Sequence, residues 1–362
     1  MHEYALLEFV SLLSRILHRT VDVHPTSNRS GSHASNPTQR DARIPAAGAV
    51  RACGPAVQAE ERSLDGVNFT GPLITPNPAG LPQGNWYIEP YLVRVDSRDH
   101  YDNNGDRRRS AEHSGAWATV VPIIYGFSDR VMGQVNLSAS RSESGSARSS
   151  GFRAGDTTAR LQYLLQAPNA DGTRPAISVA LVQRFSTGSH DRITGNPLDA
   201  QGDGAQRTTA ALGVQQVVWL GNDRPVRWRA QLSAGPAPSR TAISGSSVYG
   251  TDDSFQGHIS RGSVLGLSVG AEYSFNSRWV GVMEVAASRE TGQRLSGFAR
   301  NGSGAIERIE EHRPASRSVT LAPAVEYHFS PSLGLIAGVE FSVAGRNTGR
   351  IISPQVALGM FF

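Results

Sequence analysis

The sequence has one cysteine, Cys53, no lysine, and no apolar run approaching the ~20 residues that a membrane-crossing helix requires. A lone cysteine rules out an intramolecular disulfide as a staple for the fold. Without a long apolar run, helical membrane spans are excluded. The basic residues are all arginine, and they are scattered through Gly- and Ser-rich stretches with no helical or zinc-ligand pattern beside them, so a nucleic-acid partner is not expected. What the chain does have is 38 glycines, many Ser, Thr and Asn, and a mean hydropathy of −0.30. Such a balance is compatible with a transmembrane β-barrel. Only every second strand residue faces lipid, so the average hydropathy stays near that of a water-soluble protein.

Residues 1–59 differ in character from the rest. Tyr4–Leu17 is an apolar stretch interrupted by Glu8 and Arg15, too short to span a bilayer, and residues 19–43 are polar. The stretch Arg43 to Ala59 ends like an export signal with a Val57-x-Ala59 cleavage site, and Arg51 interrupts its apolar core. The expectation is a non-native or signal-like leader over 1–59, with the mature protein beginning near Glu60. A periplasmic N-terminal segment is expected over 60–83, and a barrel over 84–362.

From Gly84 onward, segments of about ten residues alternate apolar with polar or small side chains, with no competing helical period. Twelve are counted, at 85–96, 114–125, 131–142, 156–167, 176–187, 208–220, 225–235, 263–275, 279–289, 317–329, 334–344 and 351–362. The links between them also alternate. Gly126–Asp129, Ala167–Arg174, Gly221–Asn222–Asp223–Arg224, Asn276–Arg278 and Ser330–Leu333 are short, whereas 97–113, 142–155, 188–207, 236–262 and 288–316 are long, with only the last link of that second set, near Gly345–Arg350, short. Bacterial barrels show this segregation of short periplasmic turns from long external loops. The predicted fold is therefore all-β: a closed antiparallel transmembrane β-barrel of about twelve strands in the outer membrane of a Gram-negative cell. Its last strand alternates Ile352, Pro354, Val356, Leu358, Met360 and Phe362 with small or polar residues and stops on an aromatic ring. Leu358, Met360 and Phe362 are read as the signal for the barrel-assembly machinery, an expected partner alongside outer-membrane lipid and lipopolysaccharide.

The stretch Phe69-Thr-Gly-Pro-Leu-Ile-Thr-Pro-Asn-Pro-Ala-Gly-Leu-Pro-Gln-Gly84, followed by Asn85-Trp-Tyr-Ile-Glu-Pro-Tyr91, resembles the start of outer-membrane barrels classed under the MetA pathway of phenol degradation and labelled transporters. The resemblance covers roughly 66–362. It implies passage of small solutes, aromatic ones among them, across the outer membrane, and it carries over no catalytic residue.

Strand parity puts Leu265, Leu267, Val269, Val319, Leu321, Val325, Val339 and Phe341 on the lipid side, with Tyr273, Trp279 and Tyr327 in a periplasmic interface belt. The same parity turns Glu89, Glu272, Glu284, Glu326 and Glu340 into the lumen, along with Arg160, Arg184, Arg227 and Arg229. Two readings follow: a passive channel with facing acidic and basic arcs that orient polar solutes, or a barrel whose lumen is filled by ion pairs. An outer-membrane hydrolase is a third reading. It would draw on His328, or on Asp96, Asp99, His100, His190, Asp191 and His258 near the outer rim, though such residues are common in solvated loops. Asp102-Asn-Asn-Gly-Asp106 has alternating oxygen ligands but Arg107 where a calcium loop has glycine and His113 where it has glutamate, so a solvated turn is favoured and neither metal nor cofactor is expected. Arg107, Arg108, Arg109, Arg148, Arg153 and Arg261 in external loops suit lipopolysaccharide phosphates as well as they suit water.

Overall fold

A computed structural model of the chain describes residues 63–362; the expectations for 1–59, including the cleavage site, lie outside the described residues. The chain runs through β1 (Trp86–Ile88), β2 (Tyr91–Tyr101), β3 (Arg107–Ser128), β4 (Val131–Ser144), β5 (Ala147–Arg148), β6 (Arg153–Ala154) and β7 (Thr157–Gln166). It continues with β8 (Ala176–Phe185), β9 (Arg207–Trp219), β10 (Pro225–Gly235), β11 (Thr241–Ser244), β12 (Gln256–Ser260) and β13 (Val264–Ser274). The last third holds β14 (Trp279–Glu290), β15 (Gln293–Arg300), β16 (Ile306–Arg313), β17 (Ser316–Ser330), β18 (Leu333–Arg346) and β19 (Thr348–Phe361).

Twelve of these pair antiparallel in an unbroken ring, in the order β2, β3, β4, β7, β8, β9, β10, β13, β14, β17, β18, β19 and back to β2. Closure leaves no sheet edge, the only way a sheet can satisfy its backbone polar groups in hydrocarbon. The first strand is split. Pro90 lacks an N–H for the ladder, so the chain kinks at Glu89–Pro90, and β1 bridges β3 and β19 through Tyr87, which opposes both Ile124 and Phe361.

The two faces of the wall separate as alternation requires. Leu265 and Leu267 are 51% and 46% exposed while Ser268, next along the strand, is 8% exposed, and Val325 is 46% exposed beside the fully buried Glu326. Aromatic rings collect at the short-turn end: Trp86 packs on Tyr125 (4.6 Å between centroids), Tyr273 on Phe275 (4.8 Å), and Trp279 on Tyr327 (4.7 Å). An apolar outer band ending in an aromatic ring is the surface of a membrane-spanning barrel, with its periplasmic rim at the short turns.

The external loops are more ordered than the alternation pattern anticipates. β2 and β3 continue as a hairpin past the membrane to a turn at Asp102–Asp106, where 97–113 was expected as loop. Two other loops together build a second sheet, β11-β12-β15-β16, whose core is Ile243, Tyr249, Phe255, Ile259, Leu295 and Ala299. Its strands are short and rich in Gly, Ser and charge, so a pattern tuned to ten-residue alternation passes over them.

Candidate functional site: the barrel lumen and its strap

Residues 63–83 are not a segment beside the barrel on the periplasmic side, as expected, but a strap whose middle runs inside it. It enters at the periplasmic rim, where the Asn68 side chain donates to the carbonyl of Ser277 in a short turn (2.9 Å). The Thr70 and Gly71 N–H groups then donate to Glu326 on β17 (2.7 and 3.1 Å). The Ile74 and Thr75 N–H groups donate to Glu284 on β14 (3.0 and 2.8 Å). Gln162 on β7 donates to the carbonyls of Asn77 and Pro78 (3.0 and 3.2 Å). From there the chain returns to the rim, where Gly84 donates to the carbonyl of Gly126 (2.9 Å).

Pro72, Pro76, Pro78 and Pro82 suit this course. A Pro-rich chain is extended, carries few N–H groups, and forms no ladder of its own. The few N–H groups it keeps in the lumen need acceptors, since an unpaired buried donor costs about 1–3 kcal/mol. Glu284 and Glu326 supply them. Two glycines make room. A Cβ at Gly126 would sit 2.1 Å from the Pro82 carbonyl oxygen, and Gly71, at φ +125°, adopts a conformation that L side chains rarely take. Phe69 and Leu73 pack on Val280, Val282, Ala324, Ile336 and Ala357 of the inner wall, and the Arg227 guanidinium lies 4.3 Å above the Phe69 ring.

The nine charged positions assigned to the lumen thus have different surroundings. Arg227 forms a two-pronged pair with Glu272 (2.6 and 2.8 Å), and Arg229 reaches the same carboxylate at 3.1 Å. Glu89 accepts from the hydroxyls of Tyr87 and Tyr91 (3.0 and 2.7 Å). Arg160 donates to Gln162 (2.7 Å) and so braces the strap's anchor from behind. Arg184 lies at the outer mouth, paired with Asp203, and the half-buried Glu340 has no ion pair among the described residues. Facing arcs and ion pairs filling the lumen were the two readings of these charges; Arg227 and Arg229 meet Glu272 across adjacent strands, and Glu284 and Glu326 are engaged by strap amides. Any transverse field is correspondingly reduced. The signal for this was the pairing of lumen carboxylates with a Pro-rich segment just before the first strand, and it becomes legible only once that segment is placed inside.

At the outer mouth a second group of charges closes one sector. Glu290 pairs with Arg207 (3.0 Å) and Arg261 (2.8 Å), and Asp203 pairs with Arg184 and Arg261. The loop 186–206 leans in from above, with Gln201 bonded to Ser140 and Ser142 (2.6 and 3.2 Å), which share the inward face of Met132. Between strap and wall, on the side of β1 to β4 and β19, lies a cavity of about 540 Å³. Tyr91, Val93, Val120, Pro122, Ile124 and Met132 give it an apolar wall, with Gln134, Asn136 and Gln355 as neutral polar groups and Glu89 and Arg229 as charged ones.

Of the histidines named for a hydrolytic reading, His190 lies 3.5 Å from Ser186 and 3.6 Å from Asp191, and His100 lies 3.3 Å from Ser110. His328 contacts Glu326 (3.3 Å) and Thr70 (3.5 Å) rather than a serine. Ser296 lies 3.0 Å from His258 in the external sheet, but no carboxylate orients that ring among the described residues. Asp96, His113 and Glu143 offer ligand atoms within 4.8 Å of one another, yet the Arg94 guanidinium bonds both carboxylates and fills the place of a cation. Asp102 caps its own turn, accepting from the N–H groups of Asn104 and Asp106 (2.8 and 3.0 Å) and from Arg108 (3.0 Å); the last holds its carboxyl below the usual range.

The chain is similar in structure to the COG4313 outer membrane channel from Pseudomonas putida F1, with a TM-score of 0.55 and 16% identity over 79% of this chain and 98% of that one. It shares that channel's fold. The NanC porin (TM-score 0.39, 8% identity, 74% of this chain and 98% of that one) and a deltaS2S3 mutant of the TodX monoaromatic hydrocarbon channel (0.39, 12%, 78% and 92%) also match. No family model matches the chain, and no curated protein does. With the apolar band and the aromatic ring, this fold places the barrel in the outer membrane of a Gram-negative cell.

Proposed function

We propose that the barrel is a passive channel for small, largely apolar solutes, aromatic compounds among them, which pass beside the strap along the β1–β4 wall. The observation that carries this reading is the division of the lumen. Ion pairs and strap contacts occupy the β7–β17 side, whereas the cavity opposite presents Tyr91, Val93, Val120, Pro122, Ile124 and Met132. Its two charged groups are already engaged within the protein, Glu89 by the Tyr87 and Tyr91 hydroxyls and Arg229 by Glu272, and a wall otherwise aromatic, aliphatic and neutral polar suits neutral ring compounds better than ions. The segment that carries the resemblance to MetA-pathway barrels, Phe69–Gly84, covers most of the strap.

The experiment is solute uptake into liposomes containing the refolded protein, comparing a neutral aromatic solute with a charged one of similar size. Uptake should favour the neutral compound and should fall several-fold in Val93→Trp and Ile124→Trp, which fill the cavity from the wall. Uptake that is unchanged by both substitutions would show that the path lies elsewhere. Absence of uptake by every form would favour the second reading, a plugged barrel whose external sheet does the work, which the occupied β7–β17 side supports.

A further inference from the structure

The lipid-facing wall carries a row of like charges. Arg289 on β14 opposes Arg317 on β17, and Arg317 opposes Arg346 on β18. All three are exposed. Arg289 and Arg317 share the outward face of Met283 and Val325, opposite the buried Glu284 and Glu326, and Arg346 joins them by register. Directly opposed residues in an antiparallel pair have Cβ atoms about 4.5–5.5 Å apart, a spacing at which like charges repel. No carboxylate lies within salt-bridge distance of any of the three among the described residues. This contrasts with the arginines of the outer mouth and the lumen, such as Arg207, Arg227 and Arg261, which are paired.

The height of the row is informative. On β14 ten residues separate Arg289 from Trp279, and on β17 ten separate Arg317 from Tyr327, the ring pair of the periplasmic belt. At a rise of ~3.3 Å per residue and a tilt of ~40°, that is roughly 25 Å, the height of the apolar band of such barrels. The row therefore lies where hydrocarbon ends and outer-leaflet headgroups begin. Below it the wall presents Val319, Leu321 and Phe341, a surface for acyl chains.

We propose that Arg289, Arg317 and Arg346 form a binding site for the phosphate groups of a lipopolysaccharide molecule in the outer leaflet, its acyl chains lying on the apolar wall beneath. Guanidinium groups present paired donors that match phosphate, and three of them in register reach more than one phosphate of a single glycolipid. An anion between them removes the repulsion that the bare row carries. The inference rests on the outer-membrane placement of the barrel but is independent of what the lumen conducts.

The test uses the refolded full chain in detergent micelles and hexa-acylated, bis-phosphorylated lipid A, with bound lipid read by native mass spectrometry. Arg289→Gln/Arg317→Gln/Arg346→Gln should bind lipid A roughly ten-fold or more weakly than the unaltered protein, the loss expected for charge-assisted hydrogen bonds. Lipid A stripped of both phosphates should bind the unaltered protein as weakly as the triple variant binds the intact lipid. Inorganic phosphate at millimolar concentration should not displace the lipid. Equal affinity of the triple variant, or equal binding of the dephosphorylated lipid, would overturn the site, and displacement by inorganic phosphate would make it a free-anion site. Should the triple variant fail to regain heat-modifiable migration in gels, Arg317→Gln alone, at the centre of the row, serves with the same expected direction. Insertion into planar bilayers, scored on the same preparations, separates the two premises: protein that inserts normally but shows no phosphate-dependent binding overturns the headgroup site alone.

Discussion

At the scale of single residues, strand parity decides what a substitution costs. Leu267 and Leu321 point outward from the wall, while Ser268 and Thr320 are buried behind it. Arginine at Leu267 or Leu321 should lower barrel stability by roughly 2–4 kcal/mol where the position lies near mid-bilayer. Denaturant titration in lipid checks this, and equal sensitivity to Ser268→Ala and Thr320→Ala would contradict the assignment of faces. Parity was readable because a period of two survives any uncertainty about where a strand begins. What each inward charge touches was not, because ladder partners depend on register and strap partners on a segment with no periodicity. Glu284 and Glu326 could be turned inward from the sequence, but nothing local announces that they accept from Thr75 and Thr70.

Among the elements, the last strand closes the barrel against the split first strand, pairing along β2 and, at its end, with β1. Trp86 and Phe362 exchange both backbone hydrogen bonds at 2.9 Å, and Tyr87 opposes Phe361. We expect deletion of Phe362 to leave the chain misassembled or degraded in cells, both by removing that pair and by truncating the proposed assembly signal; normal surface levels of the truncated protein would contradict it. The external loop 186–206 holds by polar contacts instead. Asp199, in the short helical turn Pro197–Asp199, bonds the Ser150 N–H (2.7 Å) and Arg153 (2.8 Å), and Arg153 foremost holds its carboxyl below the usual range. A depressed carboxyl stabilises above its unfolded value of about 3.9 and loses that contribution as pH falls through its folded one. Docking of this loop should therefore weaken below about pH 4 while the barrel persists. Amide exchange at Ser150 that stays unchanged from neutral pH to pH 3 would contradict the assignment. The twelve wall strands were legible from alternation and loop length, whereas β11, β12, β15 and β16 were not. Their core, Ile243, Tyr249, Phe255, Ile259, Leu295 and Ala299, is assembled from two loops whose short segments carry no ten-residue alternation.

At the scale of the whole molecule, the barrel is a continuous wall with a divided interior. The strap fills the periplasmic half on one side, held by two carboxylates, one glutamine and an apolar patch, and leaves a cavity of about 540 Å³ on the other. On the proposed reading the strap narrows a conducting path without sealing it. Single-channel conductance of the refolded protein, measured before and after residues 70–82 are exchanged for a Gly/Ser chain of equal length, tests this. Small but measurable steps are expected for the natural chain, and steps several-fold larger once the Pro-rich anchor is gone. Silent bilayers for both proteins, despite verified insertion, would contradict it and leave a plugged, structural barrel.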